Sequence, residues 1–463
     1  MVQFNITITR KRALMVILAA VSIMIVDSNF VKYIASSSQE FPTLTNVSTF
    51  ITLALLFIGV SVVILGFIER KESGSGLKGV LGIKNSYIII WMVQISLIAI
   101  LAIIILSTVV SQNYNILSLF VVIFISHISA LFFLLLLVLS LVVWIMVRMN
   151  KLLLLYSVSF TLLVSTIIIS LVYASIMLMN QPSVIKPYPI RSSVYDLPRA
   201  DLAIYFGPIL DVISILSFIS VWIVSAFLLS TYVRKMGKVK YWTIIALPLV
   251  YFLFPFEIYF LNIFQPLISS SPVSFAIINS IIFGSTKQIG GLFFSFAFLA
   301  ASTLLEKYEI RKYLLISAVG IAILFGSIDI NSVLYATYPP FGLVTISFMA
   351  IGSYLAFTGL ANSAVLVARD KLLRKEFYKS AMSQLDLLRV IGVTQMEKEL
   401  IENYKSLEKR IKRPEITDRH FEKDNVREVL HGLVDDLDKD DVREILHDVL
   451  DDVYSKSKTN TDS

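Results

Sequence analysis

Apolar runs long enough to cross a bilayer recur along the first 368 residues, each closed by a short charged, polar or proline-bearing stretch. Runs of 18 or more apolar residues are the signature of transmembrane helices. The pattern predicts ten spans, roughly 13–33, 48–68, 87–110, 117–147, 152–179, 205–233, 241–264, 274–304, 313–329 and 341–367. The expected fold is all-α, a polytopic transmembrane helix bundle of residues 1–368. A juxtamembrane helical linker (369–413) and an acidic tail (414–463) follow it.

The connections between the runs carry a strong bias in Lys and Arg, which sets orientation in membranes. With the N-terminus inside, the inner segments hold twenty: Arg10, Lys11, Arg12, Arg70, Lys71, Lys78, Lys84, Arg148, Lys151, Arg234, Lys235, Lys238, Lys240, Lys307, Arg311, Lys312, Arg369, Lys371, Arg374 and Lys375. The outer segments hold four: Lys32, Lys186, Arg191 and Arg199. One miscounted span would invert the alternation downstream, so the bias supports the count as well as the direction. Trp144, Tyr232, Tyr241 and Trp242 lie beside inner basic clusters, where interfacial aromatic anchors are expected. Two readings of the first span stay open. It is either a retained helix or, with Arg10-Lys11-Arg12 followed by the run Ala13 to Val26, a signal peptide removed near residue 37. The longest outer connection, about 180–202, holds Pro182, Pro187, Pro189 and Pro198, so a stiff extended loop is expected there. Asn46-Val47-Ser48 is a glycosylation triplet expected on the outer side.

Composition agrees with this picture. Hydrophobic residues make up 56% of the 463 and only 16% are charged, outside the range of ordinary soluble domains. Mean hydropathy is +0.79. The net charge of +7 divides unevenly: residues 1–368 carry 21 basic against 11 acidic residues, and residues 369–463 carry 19 against 22. Basic cytoplasmic loops account for the surplus, so no nucleic-acid partner is implied. The absence of cysteine excludes disulfides, thiolate metal sites and Cys nucleophiles.

The tail has its own pattern. Leu373, Phe377, Ala381, Leu385 and Leu388 continue the tenth span at helical spacing to Gly392, which suits a helix end. Thr394 and Glu397 then form a capping box for a second helix that runs to Pro414. Further on, "NVREVLHGLVDDL" (425–437) recurs as "DVREILHDVLDDV" (441–453), a period of 16. Leu430, Leu433 and Val434 lie on one apolar face, and Leu446, Val449 and Leu450 on its copy. Such short helices need each other or a partner, so a two-helix hairpin that buries the faces together is expected, open to a cytoplasmic protein or a second copy docking through residues 415–455. His431 with Asp435, and His447 with Asp451, lie off those faces, so no metal is expected there.

"YPPFGLVTISFMAIGSYLAFTGL" (338–360), "RDKLLRKEFYKSA" (369–381) and "IGVTQMEKELIE" (391–402), followed by an acidic helical end, resemble uncharacterised multi-pass membrane proteins of ammonia-oxidising archaea. The resemblance covers about residues 335–455 and implies an archaeal plasma membrane, with no ligand attached. Pro339-Pro340 suits the first turn of the tenth helix.

No P-loop, GxSxG or HExxH motif is present, so neither enzyme chemistry nor a cofactor is expected. What lipid would reject are Asp27, Gln94, His127, Asp211, Glu257, Lys287 and Asp329, and a charge in lipid defaults to pairing or function. At 1.5 Å per residue, Glu257 lies about 24 Å and Lys287 about 25 Å above the inner ends of their spans, in a core about 30 Å thick. Glu257, Lys287, His127 and Asp211 are thus expected to line a polar outer basin, with Glu257 and Lys287 paired. The alternative for Lys287 is snorkelling to the outer interface. Pro248 and Pro255 are expected to kink the seventh helix, and Gly290-Gly291 to permit close packing in the eighth.

Three functions fit: a membrane sensor relaying to its cytoplasmic tail, an anchor recruiting a partner through that tail, and a secondary transporter of a small solute. Transport is less favoured. Glycine is 18 of 463 residues, about 4% where 7% is typical, and the two halves lack similarity. The charge bias predicts that both termini are cytoplasmic. In this cysteine-free chain, an impermeant thiol reagent applied to intact cells should label Ser193→Cys and leave Ser73→Cys and Ser455→Cys unlabelled. Labelling at 455 from outside would reverse the orientation.

Overall fold

The computed structural model describes residues 10–36, 43–67, 86–147, 151–186, 201–230, 237–253, 270, 286–302, 308–328, 331–334 and 338–369. Glu257, Asp329, the 370–413 linker, the 414–463 repeat with Leu430, Leu433, Val434, Leu446, Val449 and Leu450, and most of the proline-rich loop lie outside these residues.

The chain forms α1 (Arg10–Ser36), α2 (Thr43–Phe67), α3 (Ser86–Val110), β1 (Tyr114–Asn115), α4 (Ile116–Val147), α5 (Lys151–Met179), β2 (Val184–Ile185), α6 (Asp201–Leu229), α7 (Lys238–Leu253), α8 (Thr286–Ser302), α9 (Tyr308–Ser327), the single turn α10 (Asn331–Leu334) and α11 (Leu343–Arg369). The expected all-α bundle is present. Among the described residues, seven helices (α1 to α6 and α11) are long and apolar enough to cross a membrane, and α8 is a shorter apolar helix. Helix is what these sequences must form in hydrocarbon, because only helix satisfies every backbone group within its own segment. Side-chain hydroxyls follow the same rule. Thr108 donates to the Ile104 carbonyl at 2.7 Å and Ser140 to that of Leu136 at 2.8 Å, the back-bond to residue i−4 that hides a hydroxyl on an apolar helix. The two strands pair antiparallel, Tyr114 with Ile185 and Asn115 with Val184, and tie together the connections that follow α3 and α5.

The bundle is built around α11. Its whole apolar window is buried, although it is the least hydrophobic of the seven. The more apolar α3 buries only 28% of its window. This order is physical: lipid-facing surface must be apolar, whereas helix–helix contact in a membrane favours small residues that let backbones approach. α11 packs against α9, α4, α1, α2 and α3. On its α9 side stand Gly352 and Gly359. A Cβ on Gly352 would lie 2.7 Å from the Leu324 amide nitrogen, and one on Gly359 would lie 2.6 Å from that of Ser317. From α9, Gly320 sits against the backbone of Leu355 and Ala356. Elsewhere α11 presents aromatic rings, each met by another helix. Phe341, just before α11, meets Phe30 of α1 at 4.6 Å and Phe50 of α2 at 6.0 Å, Phe348 meets Phe57 of α2 at 4.7 Å, and Tyr354 meets Phe133 of α4 at 5.0 Å.

These contacts fix relative direction. Phe50 to Phe57 and Phe341 to Phe348 are equal steps, so α2 and α11 run parallel. Ser317 faces Gly359 and Leu324 faces Gly352, so α9 and α11 run antiparallel. The Trp222 indole donates to the Ile245 carbonyl at 2.8 Å and the Tyr241 hydroxyl to that of Ala226 at 2.9 Å, so α6 and α7 are antiparallel too.

Several local expectations change. Trp144 and Tyr241 are buried, so they act as packing and hydrogen-bonding groups, while Trp242 is exposed. Asn46 lies inside α2 and is buried, which removes it as an accessible glycosylation acceptor. Pro339-Pro340 precede α11 instead of opening it. Gly290 and Gly291 are close-packing positions: a Cβ on Gly290 would meet the Phe218 ring of α6 at 2.6 Å, and one on Gly291 the Ala322 carbonyl of α9 at 2.9 Å. Because the α9–α11 contact leaves no room for a methyl group, Gly352→Ala should cost about 1–3 kcal/mol. Gly59→Ala, where a Cβ meets nothing within 4 Å, should be neutral or stabilise by up to about 1 kcal/mol. Thermal denaturation in detergent compares the two, and equal melting temperatures would refute the close approach.

Candidate functional site

The apolar run of α1 ends in three successive polar residues, Asp27, Ser28 and Asn29, all buried. Helical geometry separates adjacent side chains by about 100°, so the three reach different neighbours. Asn29 Nδ2 turns back to the Ile25 carbonyl at 2.8 Å. Asp27 faces the start of α11. Its Oδ2 accepts from the Thr345 backbone amide at 2.7 Å and from the Thr345 hydroxyl at 2.8 Å. That hydroxyl also lies 3.3 Å from the Met24 carbonyl, a longer and weaker contact.

The local sequence makes this contact necessary. Gly342 has φ of 84°, the left-handed region that favours glycine, and its carbonyl accepts from the Ile346 amide at 3.1 Å as the first bond of α11. Gly342 is therefore the N-cap, and Thr345 the third helical residue. An N-cap side chain normally accepts from that third amide, and glycine has none to offer. Asp27, 318 positions earlier, supplies the missing acceptor. A carboxylate also complements the positive end of the helix dipole.

Ser28 faces α8. Gln288 Nε2 lies 3.3 Å from Ser28 Oγ and 3.3 Å from the Gly326 carbonyl at the end of α9. Since that carbonyl only accepts, it fixes the amide orientation, with nitrogen toward Gly326 and oxygen elsewhere. Met24 completes the junction: a Cβ on Gly326 would come within 2.7 Å of its terminal methyl. Four helices, α1, α8, α9 and α11, thus meet at one polar junction. Two of its oxygens, Asp27 Oδ1 and Gln288 Oε1, are buried with no protein partner.

The four residues expected to line an outer basin are not seen as one group. His127 is buried between α4 and α5. Its Nδ1 is 2.8 Å from the Ile123 carbonyl and its Nε2 is 3.2 Å from Ser170 Oγ. The carbonyl only accepts, so Nδ1 carries a proton, and both ring nitrogens are engaged, a bond between helices. Asp211 is exposed on α6. Glu257 and the Lys287 side chain, and with them the expected pair, lie outside the described residues; Lys287 itself stands in α8 beside Gln288. Gln94, at the centre of the buried stripe of α3, has both amide atoms buried without a protein partner. Among the described residues no group of three or more His, Cys, Asp or Glu is placed to hold a metal ion.

Sequence reading found Asp27 as a misfit in lipid and missed its partners. Thr345, Ser28 and Gln288 are ordinary polar residues in helices, and the one available signal was Gly342, a helix start without a capping side chain.

Fold and site define a class: an all-helical, membrane-type bundle whose central helix is capped in trans at a buried polar junction. Beyond that class no particular relative emerges, since no protein-family model, curated protein or solved structure matches the chain.

Asp27→Leu should cost about 1.5–3 kcal/mol, the range for hydrogen bonds to a charged group. Thr345→Val, which keeps the backbone bond, should cost about 1 kcal/mol. Because both changes remove the same hydroxyl–carboxylate contact, the double variant should lose less than the sum. Additive losses in thermal melts would show that the two residues act independently.

Proposed function

We propose that the chain is a ten-pass integral protein of an archaeal plasma membrane, with both termini cytoplasmic, that senses a state of its outer half and relays it through its helical tail. α11 carries this reading. It is the most enclosed long helix, its N-terminus is held by a carboxylate from α1, and it runs unbroken to Arg369, where the tail begins. A rigid helix held at one end and joined to a partner-binding segment at the other is a mechanical link, provided its held end has two states.

Several observations support the finer parts of the proposal. The twenty-to-four basic bias supports the orientation. α9, at 20 residues, is about 30 Å long and fits one crossing. The described parts of α7 and α8 fit two more crossings, with apolar sequence continuing on the side of each toward residue 270. Retention of α1 is favoured over its removal as a signal peptide, because Asp27 would leave with it and the start of α11 would lose its cap. The partner is a cytoplasmic protein or a second copy, engaged through residues 415–455, and the bilayer is the solvent of the rest. Catalysis has no support in any motif.

The relay is tested with a spin label on Ser383→Cys in the tail. Thr345→Val should change its spectrum in nanodiscs, and Asp211→Asn, on an exposed face, should not. An unchanged spectrum in Thr345→Val would make α11 a static pillar and leave the protein an anchor.

A further inference from the structure

α1 and α9 lie side by side and run the same way. Passing along α1 from Asp27 to Phe30 moves the contact back from Thr345 to Phe341, so α1 is antiparallel to α11. α9 is antiparallel to α11 as well, which makes α1 and α9 parallel. The two meet at Met24 and Gly326. α9 is buried without a break from Leu314 to Ile328, with α8, α11 and α1 packed on it. The buried stripe of α1, through Met24, Ala20, Ile17 and Ala13, likewise reaches almost to its first residue. Ala13 precedes Met24 by eleven residues and Leu314 precedes Gly326 by twelve, about 17 and 18 Å at the helical rise. Both helices therefore leave the packed core at one height.

Both also turn basic there. Residues 10–13 and 308–312 carry Arg10, Lys11, Arg12, Arg311 and Lys312 against one acid, Glu309. Arg10, Lys11 and Arg12 are exposed, and Arg311 and Lys312 are half-buried. Lys312 Nζ leans over the Tyr313 ring, 5.9 Å from its centroid. In sequence, 300 positions separate Arg12 from Lys312, so only the fold makes these cations one patch. The surface next to the patch selects the kind of anion. Leu14, Met15 and Leu18 are 45%, 61% and 49% exposed, and they follow Arg10 and Lys11 at the i+4 and i+7 spacing of one helix face. A cationic end continued by a bare apolar track matches an amphiphile. Arg recognises phosphate through its planar fork and Lys as a point charge, and basic sites between helix ends hold anionic headgroups. A free phosphate would have no use for the track.

We propose that the paired starts of α1 and α9 bind the phosphodiester headgroup of an anionic phospholipid, with an acyl chain lying along Leu14, Met15 and Leu18. The lipid ties α1 to α9 at the end opposite the Asp27 junction. The site rests on the reading of the chain as membrane-embedded and is independent of the relay: if no lipid binds, the relay is untouched, and if the relay fails, the lipid site remains.

The purified full chain in detergent is titrated with dioleoylphosphatidylglycerol or with dioleoylphosphatidylcholine, which has the same chains and no net charge. Native mass spectrometry counts the bound lipid, and thermal melting reads the stabilisation that a ligand of the folded state confers. Phosphatidylglycerol should bind in preference and raise the melting temperature to a plateau. Arg10→Gln with Lys11→Gln, and separately Arg311→Gln with Lys312→Gln, should each raise its half-saturating concentration by about tenfold or more. Lys238→Gln with Lys240→Gln removes the same charge from the start of α7 and should leave binding unchanged. Soluble glycerol 3-phosphate should not compete. Equal binding of the two lipids, a loss from one helix pair only, or an equal loss in the α7 pair would overturn the proposal. Competition by glycerol 3-phosphate would overturn the lipid assignment and leave a site for free phosphate.

Discussion

A helix that begins inside a membrane protein must find acceptors for its first amides. Water does this at an ordinary surface, but lipid cannot. α11 begins with a glycine cap that carries no acceptor, and the Asp27 carboxylate fills the place from α1. Much else follows from that contact. It holds α1 against α11, sets the height of α1 beside α9 through Met24 and Gly326, and puts Ser28 where Gln288 of α8 can meet it.

The packing around α11 obeys a second constraint of the same solvent. Burial here gains nothing from hiding apolar surface, because the lipid is equally apolar, so the centre goes to the helix that can be approached most closely. Glycines at 320, 352 and 359 let α9 and α11 touch backbone to backbone, and aromatic rings fill the wider gaps to α1, α2 and α4. α3, among the most apolar of the seven, buries only 28% of its window, while the still more apolar α4 is drawn in by its contact with α11. Glycine is scarce in total, yet among the described residues Gly290, Gly291, Gly320, Gly326, Gly352 and Gly359 all sit at helix contacts.

Buried polar groups in this bundle fall into two kinds. His127 and Ser170 satisfy one another and the Ile123 carbonyl, and so hold α4 to α5 with nothing left over. The Asp27–Gln288 junction, like Gln94 on α3, leaves buried polar atoms without a protein partner, which costs stability in low dielectric. The ionisable residues that looked alike as misfits in lipid therefore differ in kind once their neighbours are known.

The sequence by itself determined that the chain is a bundle of apolar helices, close to where each long helix starts and stops, and which residues sit badly in lipid. Lipid enforces this legibility, because each spanning segment must satisfy its backbone alone and so writes its length into its own composition. Lateral arrangement leaves no such mark. That α11 is central, that Trp144 and Tyr241 point inward, and that Asn46 is buried depend on which helices are neighbours. The partner of Asp27 was beyond sequence reading for the same reason. It is an amide and a hydroxyl 318 residues away, and only the tertiary fold, by bringing the end of one helix to the beginning of another, decided that the two would meet.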